Sequence, residues 1–280
     1  MRNMVLLCAV LFGALLVVSC QRQDIEADKA AIRALVESDT VHFNAGTKGD
    51  SAGGSYLLDD TMVGLWWRGP QTHDSAPTIE VGVVGDSAWV GWHQHNYGEL
   101  IHWVKTSDTT ATRWVKPLKE AVQLNAIFRR EGKTSDTDRG WRLKKISLVL
   151  GRSDTFNTVR IDSVRIHTSL RDAVIVDPLN TYYHLDSLFW FTPGEELTLT
   201  LYTNQDDGFA HLHAFIGPIL WRFPLENMGN GVYQGTGHVQ LIPGFRFAIF
   251  DFLSHGTLLD PNAPYDFSGW LFPYVIKTAD

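Results

Sequence analysis

Apolar residues recur along this chain at two rhythms. Ile25, Ile32, Leu35, Val36 and Phe43 fall at helical spacing, with Asp24, Glu26 and Asp28 crowded at the start. That spacing predicts one amphipathic helix with acids at its N-terminus. It should run to about Asn44, where Gly46 and Gly49 stop it. Beyond a Gly/Ser/Asp-rich loop, alternation with a period of two takes over. Strand-like runs cover Thr61 to Arg68, Thr78 to Val84, Ala88 to Asn96, Leu100 to Val104, Arg113 to Arg130 and Trp141 to Leu150. Gly85-Asp86-Ser87 reads as a turn between two of them, and Val115 to Arg130 is long enough to hold a bulge.

The second half has almost no helical rhythm. Short runs such as Thr158 to Thr168, Glu196 to Thr203, His211 to Gly217, Arg246 to Phe252 and Trp270 to Ile276 sit between turn signals. Those signals include Thr192-Pro193-Gly194, Asn204 to Gly208, Met228 to Gly231 and Ile242-Pro243-Gly244. Many short strands at this spacing predict an all-β sandwich. The apolar rhythm breaks near Gly151 to Asn157, which places a boundary there.

A different apolar run opens the chain. Met4 to Val18 follows Arg2 and ends in Leu16-Val17-Val18-Ser19-Cys20. The run is shorter than the roughly 20 residues that a membrane-spanning helix needs. A basic start, a short apolar core and a small residue before the cut describe a secretory signal. With Cys20 directly after Ser19, the segment resembles a bacterial lipoprotein signal. That resemblance implies a leader over residues 1–19, lipidation of Cys20, and attachment to a membrane through N-terminal acyl chains. Gln21, where no Asp stands, is similar to the pattern directed to the outer membrane.

Two further resemblances concern the fold. The leading helix, the strand Gly85 to Val90 and the strand Gly140 to Ser147 resemble the nuclear-transport-factor-two-like, or SnoaL-like, cone fold over roughly residues 24–152. Phe223-Pro224-Leu225, the turn to Gly231 and Val232 to Thr236 look like the strand-turn-strand segment of bacterial immunoglobulin-like domains, over about residues 158–280. Together they imply an α+β chain. A helix and a curved antiparallel sheet over residues 20–152 would be followed by an immunoglobulin-like β-sandwich over 158–280.

Composition narrows the chemistry. The chain has two cysteines. Cys8 would leave with the leader and Cys20 would carry lipid, so the mature protein has no thiol for a disulfide, a nucleophile or a Cys-based zinc site. Losing Arg2 takes Lys and Arg from 24 to 23 against 31 acids, a net charge of −8. No basic block suits nucleic acid. No cofactor is called for.

Candidate sites are few. Gly49-Asp50-Ser51-Ala52-Gly53 matches the serine-hydrolase elbow in letters, but the elbow needs a strand before the serine and a helix after it. Here a helix precedes and a loop follows, so a surface loop is the better reading. His93-Gln94-His95 puts two imidazoles on one strand face. With Trp89, Trp103 and Trp114 they are candidates to line a small-molecule pocket, where a histidine can serve as general base. His93 with His95, which need a third ligand such as the nearby His102 or Glu99, and His211 with His213, which follow Asp206-Asp207, are also weak candidates for metal. Asp251, His255 and Asp260 form a polar cluster read as loop-stabilising. Trp66-Trp67, Phe189-Trp190-Phe191 and Trp221-Arg222-Phe223 read as core or as recognition surface. The function expected is non-enzymatic binding of a protein or small ligand at the cell envelope. The alternatives are a cone-fold isomerase or hydrolase using His93 or His95, and a metal-binding lipoprotein.

Overall fold

A computed structural model describes residues 24–43, 54–57, 63–74, 76–105, 110–216 and 219–278. Cys20 and the leader, and the Gly49 to Gly53 elbow pattern, lie outside the described residues. The chain forms two compact units.

The first unit comprises the described residues up to 43 with Ile79–Gly91 and Ala126–Lys144. Helix α1 covers residues 24–38. It stops earlier than its apolar spacing predicts, because the Asp39 side chain accepts from the backbone of Val41 and His42 at 3.1 and 3.0 Å. Such local bonds offer the backbone an alternative to the helix. Strand β4 (Thr78–Val84) pairs with the start of β5 (Ser87–Lys105) across the predicted turn, where Gly85 has φ 58°. The end of β6 (Ala111–Arg130) and the start of β7 (Trp141–Ser147) complete the unit. Ile32, Val36 and Phe43 are buried, and Phe43 stacks on Phe128 at 6.5 Å. Asp28 is 4% exposed and is bonded by Arg130 at 2.5 Å, Arg139 at 2.7 Å and the Trp141 indole at 3.2 Å. A buried carboxylate with three donors tolerates desolvation.

The second unit holds the rest of the chain. Its main sheet uses β1 (Gly54–Leu57), β2 (Val63–Arg68), most of β5 and β6, β8 (Val149–Ser153), β14 (Gly208–Ile216), β15 (Ile219–Pro224), β18 (Gly244–Ser254) and β19 (Phe267–Ile276), in the order β1-β2-β5-β6-β8-β19-β18-β14-β15. The strands of this path are antiparallel, and the end strands β1 and β15 come into contact, so the sheet curls. A second sheet, β10-β9-β13-β17-β16, comes from Ile161–Thr168 (β9), Asp172–Ile175 (β10), Glu196–Thr203 (β13), Glu226–Gly229 (β16) and Val232–His238 (β17). Sandwich-like packing follows. Val164, Ile166, Leu199 and Leu201 of the second sheet share one core with Phe250, Phe252, Trp270 and Phe272 of the main sheet.

The α+β expectation, a cone fold followed by a separate immunoglobulin-like domain, is not what the chain forms. The fold is mostly β, with two α-helices among the described residues. Strand β8, which directly follows the strand expected to close the first sheet, pairs with β6 on one side and β19 on the other. The edge that a separate domain would have left unpaired is thus continued by strands from the end of the chain. The two runs Ala88–Asn96 and Leu100–Val104 are one strand, β5, and β6 runs unbroken for 20 residues.

Candidate functional site

Period-two alternation decides what faces the inside of the curl. The even positions Asn96, Leu100 and His102 of β5 and Lys116, Leu118 and Glu120 of β6 are buried, as are Trp66 and Arg68 of β2. On β14 and β18 the odd positions His211, His213, Asp251 and Leu253 are buried on this side, while Phe250 and Phe252 face the sandwich core. Helix α2 (His255–Leu259), capped by the Ser254 side chain, adds Leu258 to the apolar cluster of Trp66, Leu100, Leu118, Tyr265 and Phe267.

Asp251, fully buried, is the centre of this interior. His211 Nδ1 lies 3.1 Å from Oδ1, and His213 Nε2 lies 2.8 Å from Oδ2. Arg68 Nη1 donates to Oδ2 at 3.1 Å. Because an ionised carboxylate only accepts, both imidazoles donate here, which sets their tautomers. Burial pushes the Asp251 carboxyl up, but the His213 charge, the two histidine hydrogen bonds and Arg68 outweigh it and hold it well below the usual carboxylate range. Burial pulls His211 down despite Asp251. Arg68 Nε also donates to the Tyr265 hydroxyl at 3.2 Å, and that hydroxyl donates to Glu120 at 2.6 Å. Burial, with Glu120 beside it, holds the Tyr265 hydroxyl well above its ordinary range.

Around this core, a cation and a neutral imidazole lie on aromatic faces. The Arg222 guanidinium sits 3.3 Å from the Trp66 ring centroid, and His102 stacks on Trp114 at 3.8 Å. Lys116, 3% exposed, donates to the carbonyls of Gly256, Thr257 and Asp260, each at 3.0 Å. Burial pulls its ammonium down to about 8. These bonds fasten the carbonyl end of α2, where a cation is favoured.

The sequence-selected residues are dispersed. Trp89 belongs to the first unit and is 49% exposed, its indole lying where a Cβ on Gly82 would come within 2.0 Å of Nε1. His93 and His95 do share a face, with ring centroids 4.7 Å apart, but it is the outer one. His95 is held between Asp74 at 3.0 Å and Asp154 at 3.6 Å, and Asp154 is also paired with Lys119 at 2.5 Å. Trp103 is exposed on that outer side, whereas Trp114 joins His102. His211 and His213 also share a face, and there the partner is Asp251, which lies in β18 and not in a loop. Trp66 is fully buried and Trp67 half-buried. Among the described residues, no three His, Cys, Asp or Glu side chains are grouped so as to hold a metal ion. Sequence reasoning missed Arg68, Asn96 and Glu120 as interior partners, and named His102 only as a possible third ligand for His93 and His95. The one signal for the interior was a carboxylate, Asp251, inside the apolar run Phe247 to Leu253, where burial demands partners.

An apolar cavity of about 190 Å³ lies between the two sheets, lined by residues including Leu199, Leu212, Phe223, Leu225 and Phe250. Gly235 and Gly237 of β17 also line it. A Cβ on Gly235 would strike Leu225 at 2.6 Å, while one on Gly237 would meet open space. No known family model matches the chain, and no curated protein matches it.

Proposed function

We propose that the protein is an exported, lipid-anchored component of the cell envelope, held through acyl chains on Cys20, that binds a small apolar ligand without turning it over. One observation carries the binding role: the apolar cavity of about 190 Å³ inside the sandwich. An apolar cavity of roughly 150 Å³ is enough to take up benzene, so this one suits a single ring or a short branched chain. Its polar lining is Thr236, His238, Gln240 and Tyr274, which offer orientation and no assembled nucleophile and base. The leader pattern and Gln21 support an outer-membrane address, and the acidic charge speaks against nucleic acid.

Titration of the protein with benzene and toluene, followed by methyl resonances of Leu199 and Leu212, tests this reading. Saturable shifts are expected for the wild type. Gly237→Leu, which fills open space without a backbone clash, should abolish them while leaving the fold intact. The reading fails if neither probe binds, or if the variant binds as well as the wild type.

A further inference from the structure

A second cavity, of about 90 Å³, opens inside the curled sheet and is independent of the apolar one. Arg68, Asn96, Glu120 and His213 contribute to its wall, with Val149 and Ile249 among its apolar members. Its wall is built on a two-glycine patch. Gly151 and Gly269 face each other across β8 and β19, and the Phe267 ring lies against both. A Cβ on Gly269 would meet that ring at 2.4 Å. The Arg68 guanidinium in turn sits 4.6 Å from the ring centroid, so the wall is braced from below.

Arg68, Glu120 and His213 are all engaged with Asp251 or with Tyr265. Asn96 differs. It is 2% exposed, and among the described residues no group donates to its Oδ1. A buried amide carbonyl without a donor is costly to keep, and asparagine is disfavoured in the middle of a strand. Leucine, of similar size, would carry neither cost. The position is therefore explained by something that brings a donor to it. Charge constrains what that is. Arg68 and Glu120 offset one another at 3.4 Å, and His213 is tied to Asp251. A charged ligand would add an uncompensated charge to a buried site, and a neutral one would not.

We propose that this cavity binds a small uncharged molecule of the primary-amide class. Its NH₂ group donates to Asn96 Oδ1, and its short alkyl part rests on Val149 and Ile249. Scaled against the benzene-sized cavity, the volume admits roughly four non-hydrogen atoms, and propionamide, with one more, sits at its upper size limit.

Propionamide, propionate and propylammonium form a matched series for titration of the full chain by saturation-transfer NMR. Propionamide should bind, with the two ions at least tenfold weaker. Asn96→Leu should lose propionamide binding by tenfold or more and at the same time raise the denaturation midpoint. Equal binding of either ion, absence of propionamide binding, unchanged binding by Asn96→Leu, or a lowered midpoint in that variant would each overturn the proposal. A crystal structure of the wild-type protein soaked in propionamide gives an independent readout: amide density on Asn96 supports the site, and an ordered water alone sinks it.

Discussion

The chain contains two His-x-His pairs on strands, and they meet opposite fates. His93 and His95 stand on the outside of β5, half-buried, with His95 between Asp74 and Asp154. His211 and His213 stand inside the curl, 4% and 1% exposed, both donating to Asp251. The local pattern is the same in each case, and so is the consequence that both rings share a face. What differs is the dielectric around them. Outside, water solvates the ions and the pairs contribute little. Inside, every polar atom must find a partner, and the partners become a network whose members depend on one another.

The largest effect expected from breaking this contrast is at Asp251. Asp251→Ala strands two imidazoles and the Arg68 guanidinium in the interior, which should cost roughly 3–5 kcal/mol, measured by urea denaturation. Asp74→Ala, the outer counterpart, should leave the denaturation midpoint within error. A small loss at Asp251 would mean that the interior is wetter than its burial implies.

Acid should separate the two environments next. Burial, with the charges of Lys116 and Arg222, pulls His102 down to about 3 from its ordinary 6.5. The unfolded chain therefore binds the proton more readily than the folded one. Stability should be complete above pH 6.5 and fall steadily as pH drops toward 3, by about 1.4 kcal/mol for each unit. His102→Phe should flatten that slope, as read by denaturation at a series of pH values.

Two glycines sharpen the comparison between filled and open interior. Gly269→Ala drives a Cβ into Phe267 and within 3.3 Å of the Phe250 carbonyl, and should cost about 1–3 kcal/mol by overpacking. Gly237→Ala meets open space and should be close to neutral. The smallest effect belongs to the outer pair: the double variant His93→Ala, His95→Ala should melt within a degree or two of wild type, and chelator should shift neither protein. A chelator-dependent shift would restore the metal reading.

Much of the secondary structure was legible. Thr78–Val84 and Glu196–Thr203 are strands with the expected bounds, and the helix begins at its acids. Less visible were the full extent of Ile219–Pro224, of which only the end from Phe223 was read as strand, and the five-residue α2. The site was less legible still. His211 and His213 could be paired with each other, but Arg68 and Glu120 lie 183 and 131 positions from Asp251 along the chain, and no spacing rule links them. Asn96 read as the polar end of a strand, whereas β5 continues past it to Lys105.

By itself the sequence determined the rhythm of each segment, the residues that share a strand face and the confinement of both cysteines to the first 20 residues. These depend on neighbours within a few positions, where backbone geometry alone sets direction. Which face became interior, and that the late strands β18 and β19 would extend the sheet begun by β2, β5 and β6, only the tertiary structure decided. Strand pairing satisfies backbone hydrogen bonds that are alike at every residue, so partner choice is set by how the whole set of apolar faces can be buried at once.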